Sequence, residues 1–201
     1  EKSGWAVWKR TVTDNDNENA AHYVVFNQFS SKEQMDNYTN GGGNFSINNA
    51  ISVMKSNLKG MSTGSIRKIV QSEQKIKKQV RTYHLQLLDA TPFTGGDLKI
   101  GDKMTFAPMI QKSDDYEQVE SYIAKPYFLQ QVMNGKHRWW AFTKVINRND
   151  QANKEISHIA WNIFIPGAEF DERVVENEFV QKVLSDKISS SREMRNAQEL
   201  T

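Results

Sequence analysis

The chain has 201 residues, 38% of them apolar and 25% charged, which is enough to bury a core and reads as globular rather than disordered. A net charge of +2 gives no broad basic field for nucleic acid, and the lack of cysteine excludes a disulfide framework, a thiol nucleophile and thiolate metal sites. No run approaches the roughly 20 apolar residues of a membrane span. No signal peptide is visible; one carried ahead of Glu1 would send the protein to the periplasm or out of the cell.

In chain order, Trp5–Val12 and Tyr23–Phe29 are rich in aromatic and β-branched residues and flank a polar loop, Thr13–Ala21, so they predict a strand hairpin. Ser30-Ser31-Lys32-Glu33 is a helix-start signal leading into Gln34–Tyr38, and Asn40–Asn44 breaks the region that follows. Helices are expected within Ile47–Leu58 and Ile66–Lys78, and a strand at Val80–Leu88. Ala90–Asp102 reads as a link, and Lys103–Gln111 as a strand. Ser113-Asp114-Asp115 caps a helix over Tyr116–Asn134, kinked by Pro126 and closed by Gly135. Residues 139–164 form a second hairpin around Asn147–Ile156. A helix over Val174–Ile188 follows Asp171, and Ser189–Thr201 opens a last strand.

The two hairpins are similar. Trp5 falls on Trp139 and Trp8 on Phe142; Tyr23 falls on His158 and Asn27 on Asn162, one residue further displaced. Strand, helix, strand, strand, helix, strand is the ferredoxin-like order, so the expected fold is α+β with two ferredoxin-like repeats. Residues 1–89 form the first, lacking its first strand and helix; 90–102 are a linker; 103–201 form the second, with an incomplete last strand.

This pattern resembles the dimeric α/β-barrel superfamily, in particular tandem NIPSNAP- and antibiotic-monooxygenase-like proteins of uncharacterised bacterial type. The resemblance rests on the helix Asp114–Gly135, on His137-Arg138-Trp139-Trp140 and the hairpin they open, and on the same hairpin at Gly4-Trp5. It implies two sheets packed face to face as a barrel. Its members include monooxygenases, haem-binding enzymes, isomerases and stress-associated proteins, so it implies no single activity.

Gly60-Met61-Ser62-Thr63-Gly64 matches the nucleophile-elbow pattern, but a helix precedes it where the elbow needs a strand; the reading is a helix–helix turn capped by Ser62 or Thr63. His22, His84, His137 and His158 have no metal-ligand spacing, so neither a metal nor another cofactor is expected. His158 reads as a structural histidine or, if its strand face lines the barrel, as a base or axial ligand. Asn27 and Asn162 sit mid-strand among large apolar residues, where an amide must find partners: architecture is one reading, a ligand contact the other. The tryptophans alternate, placing Trp5 and Trp139 on one face and Trp8, Trp140 and Phe142 on the other. Arg67–Arg81 is cationic and reads as a solvated helix face; Asn37-Tyr38-Thr39 and Asn44-Phe45-Ser46 fit the glycosylation sequon.

The leading functional reading is a small-molecule-binding protein that holds an apolar or aromatic ligand in the barrel, with His158, Asn162, Asn27, Tyr23, Trp139 and Trp5 as candidate contacts. A monooxygenase-like enzyme acting on an aromatic or haem-like substrate is the alternative; an interaction module is the third. Catalysis is left open, and an open sheet edge in the first repeat makes self-association an expectation.

Overall fold

A computed structural model describes residues 3–11, 21–40, 47–76, 80–98, 100–168, 175–195 and 197–201. The chain divides into two compact units, one of residues 1–8 and 23–80, the other of 9–22 and 81–201.

In the first unit, strands β1 (Gly4–Lys9) and β2 (Tyr23–Gln28) form a two-stranded sheet. Three helices follow: α1 (Lys32–Asn40), α2 (Ile47–Asn57) and α3 (Thr63–Ile76). Helix α1 opens as the sequence indicates, with the Ser31 hydroxyl accepting from the Gln34 amide at 3.1 Å. Ile51, Ile66 and Val70 bury together between α2 and α3. Gly60 takes φ +93 in the turn between them, where a glycine avoids the strain of a side chain. The Ser62 hydroxyl caps α3 by accepting from the Ser65 amide at 3.1 Å, so the elbow-like pattern is a helix–helix turn. The expected break at 41–44 and the sequon at 44–46 lie outside the described residues; Asn37 lies within α1.

The second unit is built on a six-stranded sheet in the order β3-β5-β6-β4-β7, with β8 also paired to β4. Its strands are β3 (Tyr83–Ala90), β4 (Met104–Gln111), β5 (His137–Arg148), β6 (His158–Phe164), β7 (Arg192–Met194) and β8 (Gln198–Leu200). All the pairings are antiparallel. Taken from β4 onward, this is the ferredoxin-like order: β4 beside β6, β6 beside β5, and the closing strand on the far side of β4. That closing strand is in two short pieces, β7 against Met109–Gln111 and β8 against Met104–Phe106. The fold is thus α+β with an antiparallel sheet.

Between β4 and β5 the chain forms α4 (Tyr116–Val119), a π-helical turn over Glu120–Ala124, and α5 (Lys125–Met133). Pro126 lacks an amide hydrogen and its ring crowds the carbonyl four residues back; the wide turn before it absorbs both effects, where the sequence predicted a kink. Helix α6 (Glu178–Ser191) begins later than expected, because Asn177 supplies the cap, its side chain accepting from the Val180 amide at 3.0 Å; residues 169–174 lie outside the described set. The core beneath these helices gathers Ala107, Met109, Tyr116, Ala124, Trp140, Phe142 and Ala160.

Two features depart from the expected tandem arrangement. The strand predicted to close the first repeat, β3, lies on the edge of the second unit's sheet against β5, so residues 90–102 connect strands of one sheet. The hairpins also differ in sheet: β5 and β6 stand between β3 and β4 in the six-stranded sheet, whereas β1 and β2 form a two-stranded one.

The 90–102 segment is fastened to β5 by Arg138. Its guanidinium pairs with Asp102 and donates to the carbonyls of Thr94, Gly96 and Asp97 at 3.1, 2.8 and 3.2 Å, and it lies 5.1 Å from the Phe93 ring. Arg138 is 6% exposed, so removing it takes from the buried Asp102 its ion-pair partner and from these carbonyls their guanidinium donor. Arg138→Met is expected to destabilise the protein by about 3–5 kcal/mol in urea unfolding.

Candidate functional site

Register and alternation sort the central strands into two chemically different faces. Toward α4 and α5 point Ala107 and Met109 of β4, Trp140, Phe142 and Lys144 of β5, and His158, Ala160 and Asn162 of β6. Pairings of Trp140 with Asn162, Phe142 with Ala160 and Lys144 with His158 hold this set together. A bulge between His137 and Trp139 adds one residue, so His137 joins the same face and Arg138 is free to turn toward the 90–102 segment.

Titratable groups concentrate under the helices. His158 is fully buried, stacked on Phe142 with centroids 5.0 Å apart and met edge-on by Tyr116 at the same distance. Its Nδ1 lies 3.0 Å from the Ser157 hydroxyl and its Nε2 3.3 Å from Glu117, which in turn takes Lys144 at 2.6 Å. The Lys144 ammonium holds the Glu117 carboxyl below its ordinary range. Burial lowers the His158 pKa, with Glu117 opposing, so the ring is held neutral more strongly than in water. Alongside, the Arg192 Nε lies 3.2 Å from the buried Glu120 carboxylate, and burial pushes both Glu120 and the Tyr116 hydroxyl up. His137 is also fully buried, against Phe128 and Phe164; burial drives its pKa down to about 4 although the Asn162 amide beside it works the other way.

The opposite face has another character. Strand β4 contributes Met104, Phe106, Pro108 and Ile110; β5 contributes Trp139, Ala141, Thr143 and Val145; β6 contributes Ile159, Trp161 and Ile163. Thr143 is the one polar side chain in that set. Its hydroxyl donates to the Ile159 carbonyl at 2.8 Å and accepts from the Trp161 indole at 3.0 Å. Phe106 lies 5.6 Å from Trp161, and Trp139 lies 6.3 Å from Phe93, centroid to centroid.

The side chains singled out from the sequence therefore fall in three places. His158 and Asn162 lie under the helices. Trp139 lies half-buried on the apolar face. Trp5, Tyr23 and Asn27 share one exposed face of the β1–β2 sheet, with Trp5 and Tyr23 64% and 63% exposed. Sequence reasoning noted Trp161 only among the hairpin tryptophans and did not single out Phe106 or Thr143, nor the cluster of Tyr116, Glu117, Glu120 and Arg192. The spacing of Tyr116, Glu117 and Glu120 along one helix was the available signal, but their partners come from distant strands. Among the described residues no group of three or more histidine and acidic side chains is placed to hold a metal ion, and no helix is long and apolar enough to cross a membrane.

No family model matches the chain, and no curated protein matches it. A solved crystal structure of an anthrone oxidase-like protein is similar over 100% of this chain and 78% of that one, with a TM-score of 0.51 and 12% identity. At that identity the likeness shows the fold.

The buried histidines make stability depend on pH. A histidine whose pKa is depressed on folding stabilises the folded state fully above its unfolded value of 6.5, and that contribution is lost as pH falls toward the folded value. For His137 the loss spans pH 6.5 to about 4 and amounts to about 3 kcal/mol. Thermal melts across that range should show the decline, and His137→Phe should flatten it.

Proposed function

We propose that this chain binds an apolar or aromatic small molecule on the face of the second unit's sheet turned away from its helices. The observation that supports the reading is the segregation of chemistry. Phe106, Trp139 and Trp161 stand on a face whose central strands carry no titratable group, and its single hydroxyl is already bonded within the protein. Trp161, Ile159 and Ile163 are already buried, so a flat hydrophobic ligand gains there from the area that the half-buried Phe106 and Trp139 still expose, at about 25 cal/mol per Å² removed from water, plus about 1 kcal/mol for a well-placed ring pair. Acid–base groups that would suit catalysis are held on the other face, where His158 and Asn162 serve the packing of α4 and α5. On this reading Trp139 is the ligand contact among the side chains first singled out.

A monooxygenase-like activity on a bound aromatic is the second reading, and the likeness to an anthrone oxidase-like structure favours it. We also take β1–β2 and β5–β6 as copies of one ferredoxin-like hairpin.

Anthrone, a tricyclic aromatic ketone, is a suitable probe for both readings. Titration should quench tryptophan emission saturably, and Phe106→Ala should weaken binding about tenfold, equivalent to about 1.4 kcal/mol. Tyr23→Lys, on the other unit, should leave it unchanged. A response that never saturates, or equal binding by Phe106→Ala, would count against the site. Protein-dependent dioxygen uptake in the same cuvette would move the reading from binding to oxidation.

A further inference from the structure

The net charge of +2 is an average over two units of opposite sign. Residues 1–8 and 23–80 carry nine lysine and arginine residues against four aspartate and glutamate, so the other unit is net acidic. The excess is concentrated further: between Asn37 and Val80 the chain has seven cations and one acid, Glu73. Most of that stretch is the helical pair α2–α3. Ile51, Ile66 and Val70 turn inward between the two helices, which leaves Lys55, Lys59, Arg67 and Lys68 in solvent. Lys32 pairs with Asp36 on α1, whereas none of those four has an acid beside it among the described residues. The turn between the helices adds an apolar tip to this charge. Every residue from Lys55 to Ser65 is exposed, Leu58 and Met61 each by 38%. The Met61 amide donates to the Leu58 carbonyl at 3.3 Å and the Ser62 hydroxyl caps α3, so backbone and cap hold the tip in one shape.

We infer that the α2–α3 turn docks on a lipid surface bearing anionic headgroups. Cations flanking a small apolar projection suit such a surface on two counts. Each lysine or arginine near an anionic leaflet strengthens binding roughly fivefold. The aliphatic ends of Leu58 and Met61 enter the headgroup layer and leave water there. A nucleic acid fits less well. Its phosphates would engage the cations alone and leave Leu58 and Met61 in water, and residues 47–80 contain no aromatic side chain on which a base could stack. The contact is a shallow one: α2 and α3 spend their apolar faces on each other, and no described helix is long and apolar enough to cross a membrane.

The test uses the 201-residue chain and vesicles of phosphatidylcholine, alone or mixed in equal parts with phosphatidylserine, read by flotation. The chain should float with the mixed vesicles and stay in solution with phosphatidylcholine alone. It should be released at about 1 M salt, where the screening length falls to about 3 Å. Lys55→Glu with Lys59→Glu, both at exposed positions, should weaken binding at least about tenfold. Lys154→Glu with Lys182→Glu, the same change of charge on the second unit, should leave it unchanged. A second reading does not depend on how the charge variants fold. The chain contains no cysteine, so Met61→Cys carries a single environment-sensitive dye, whose emission should shift to the blue on mixed vesicles; the same dye on Lys154→Cys should not shift. Equal losses from the two double variants would overturn the inference, reducing the attraction to overall charge. Failure to float with mixed vesicles, equal flotation with phosphatidylcholine alone, or an unshifted dye at residue 61 on vesicles that carry the protein would each overturn it too. Tighter binding to a short DNA duplex than to mixed vesicles at equal phosphate concentration would do the same, by naming nucleic acid as the partner.

Discussion

Everything in the second unit depends on the register between β5 and β6. Side chains alternate with a period of two, so a slip of one residue would exchange its two faces completely. The bulge at Arg138 is what makes the register serve both ends of β5: without the extra residue, His137 and Trp140 would point to opposite sides. With it, both meet Phe128, and Arg138 is released to bind the turn that carries Phe93. A single irregular residue thus joins the sheet, the helical layer and the 90–102 segment.

Once the faces are assigned, the energetics follow. The helix side combines aromatic stacking with buried ionisable groups, a combination that stabilises only when each charge finds a partner or is suppressed. Glu117 finds Lys144, Glu120 finds Arg192, and the two histidines are held neutral. The opposite side avoids the problem by carrying almost nothing polar on its central strands.

Much of this was legible in the sequence. Trp5–Val12, Tyr23–Phe29 and residues 139–164 announced strands through their aromatic and β-branched content, and Ser62 announced a cap. The face assignment was not legible. Alternation separates His158, Ala160 and Asn162 from Ile159, Trp161 and Ile163, yet both sets are mostly buried, and only the partner strands and helices decide which set lies under α4 and α5. Strand β3 was recognised as a strand but its place beside β5 comes from pairing over a long stretch of chain, which no local pattern encodes. The late start of α6 turned on one side chain, Asn177, against an equally plausible cap at Asp171.

The π-helical turn before Pro126 leaves a geometric debt in the helix that follows it. One more residue is accommodated in that turn than an α-helix would take, so everything after it is rotated by about 100° from the face predicted by continuing α4. Phe128 and Tyr127 owe their orientation to that rotation. Removing one residue from that turn would swing Phe128 off Trp140, so the length of the segment between Tyr116 and Pro126 sets which side of α5 meets the sheet.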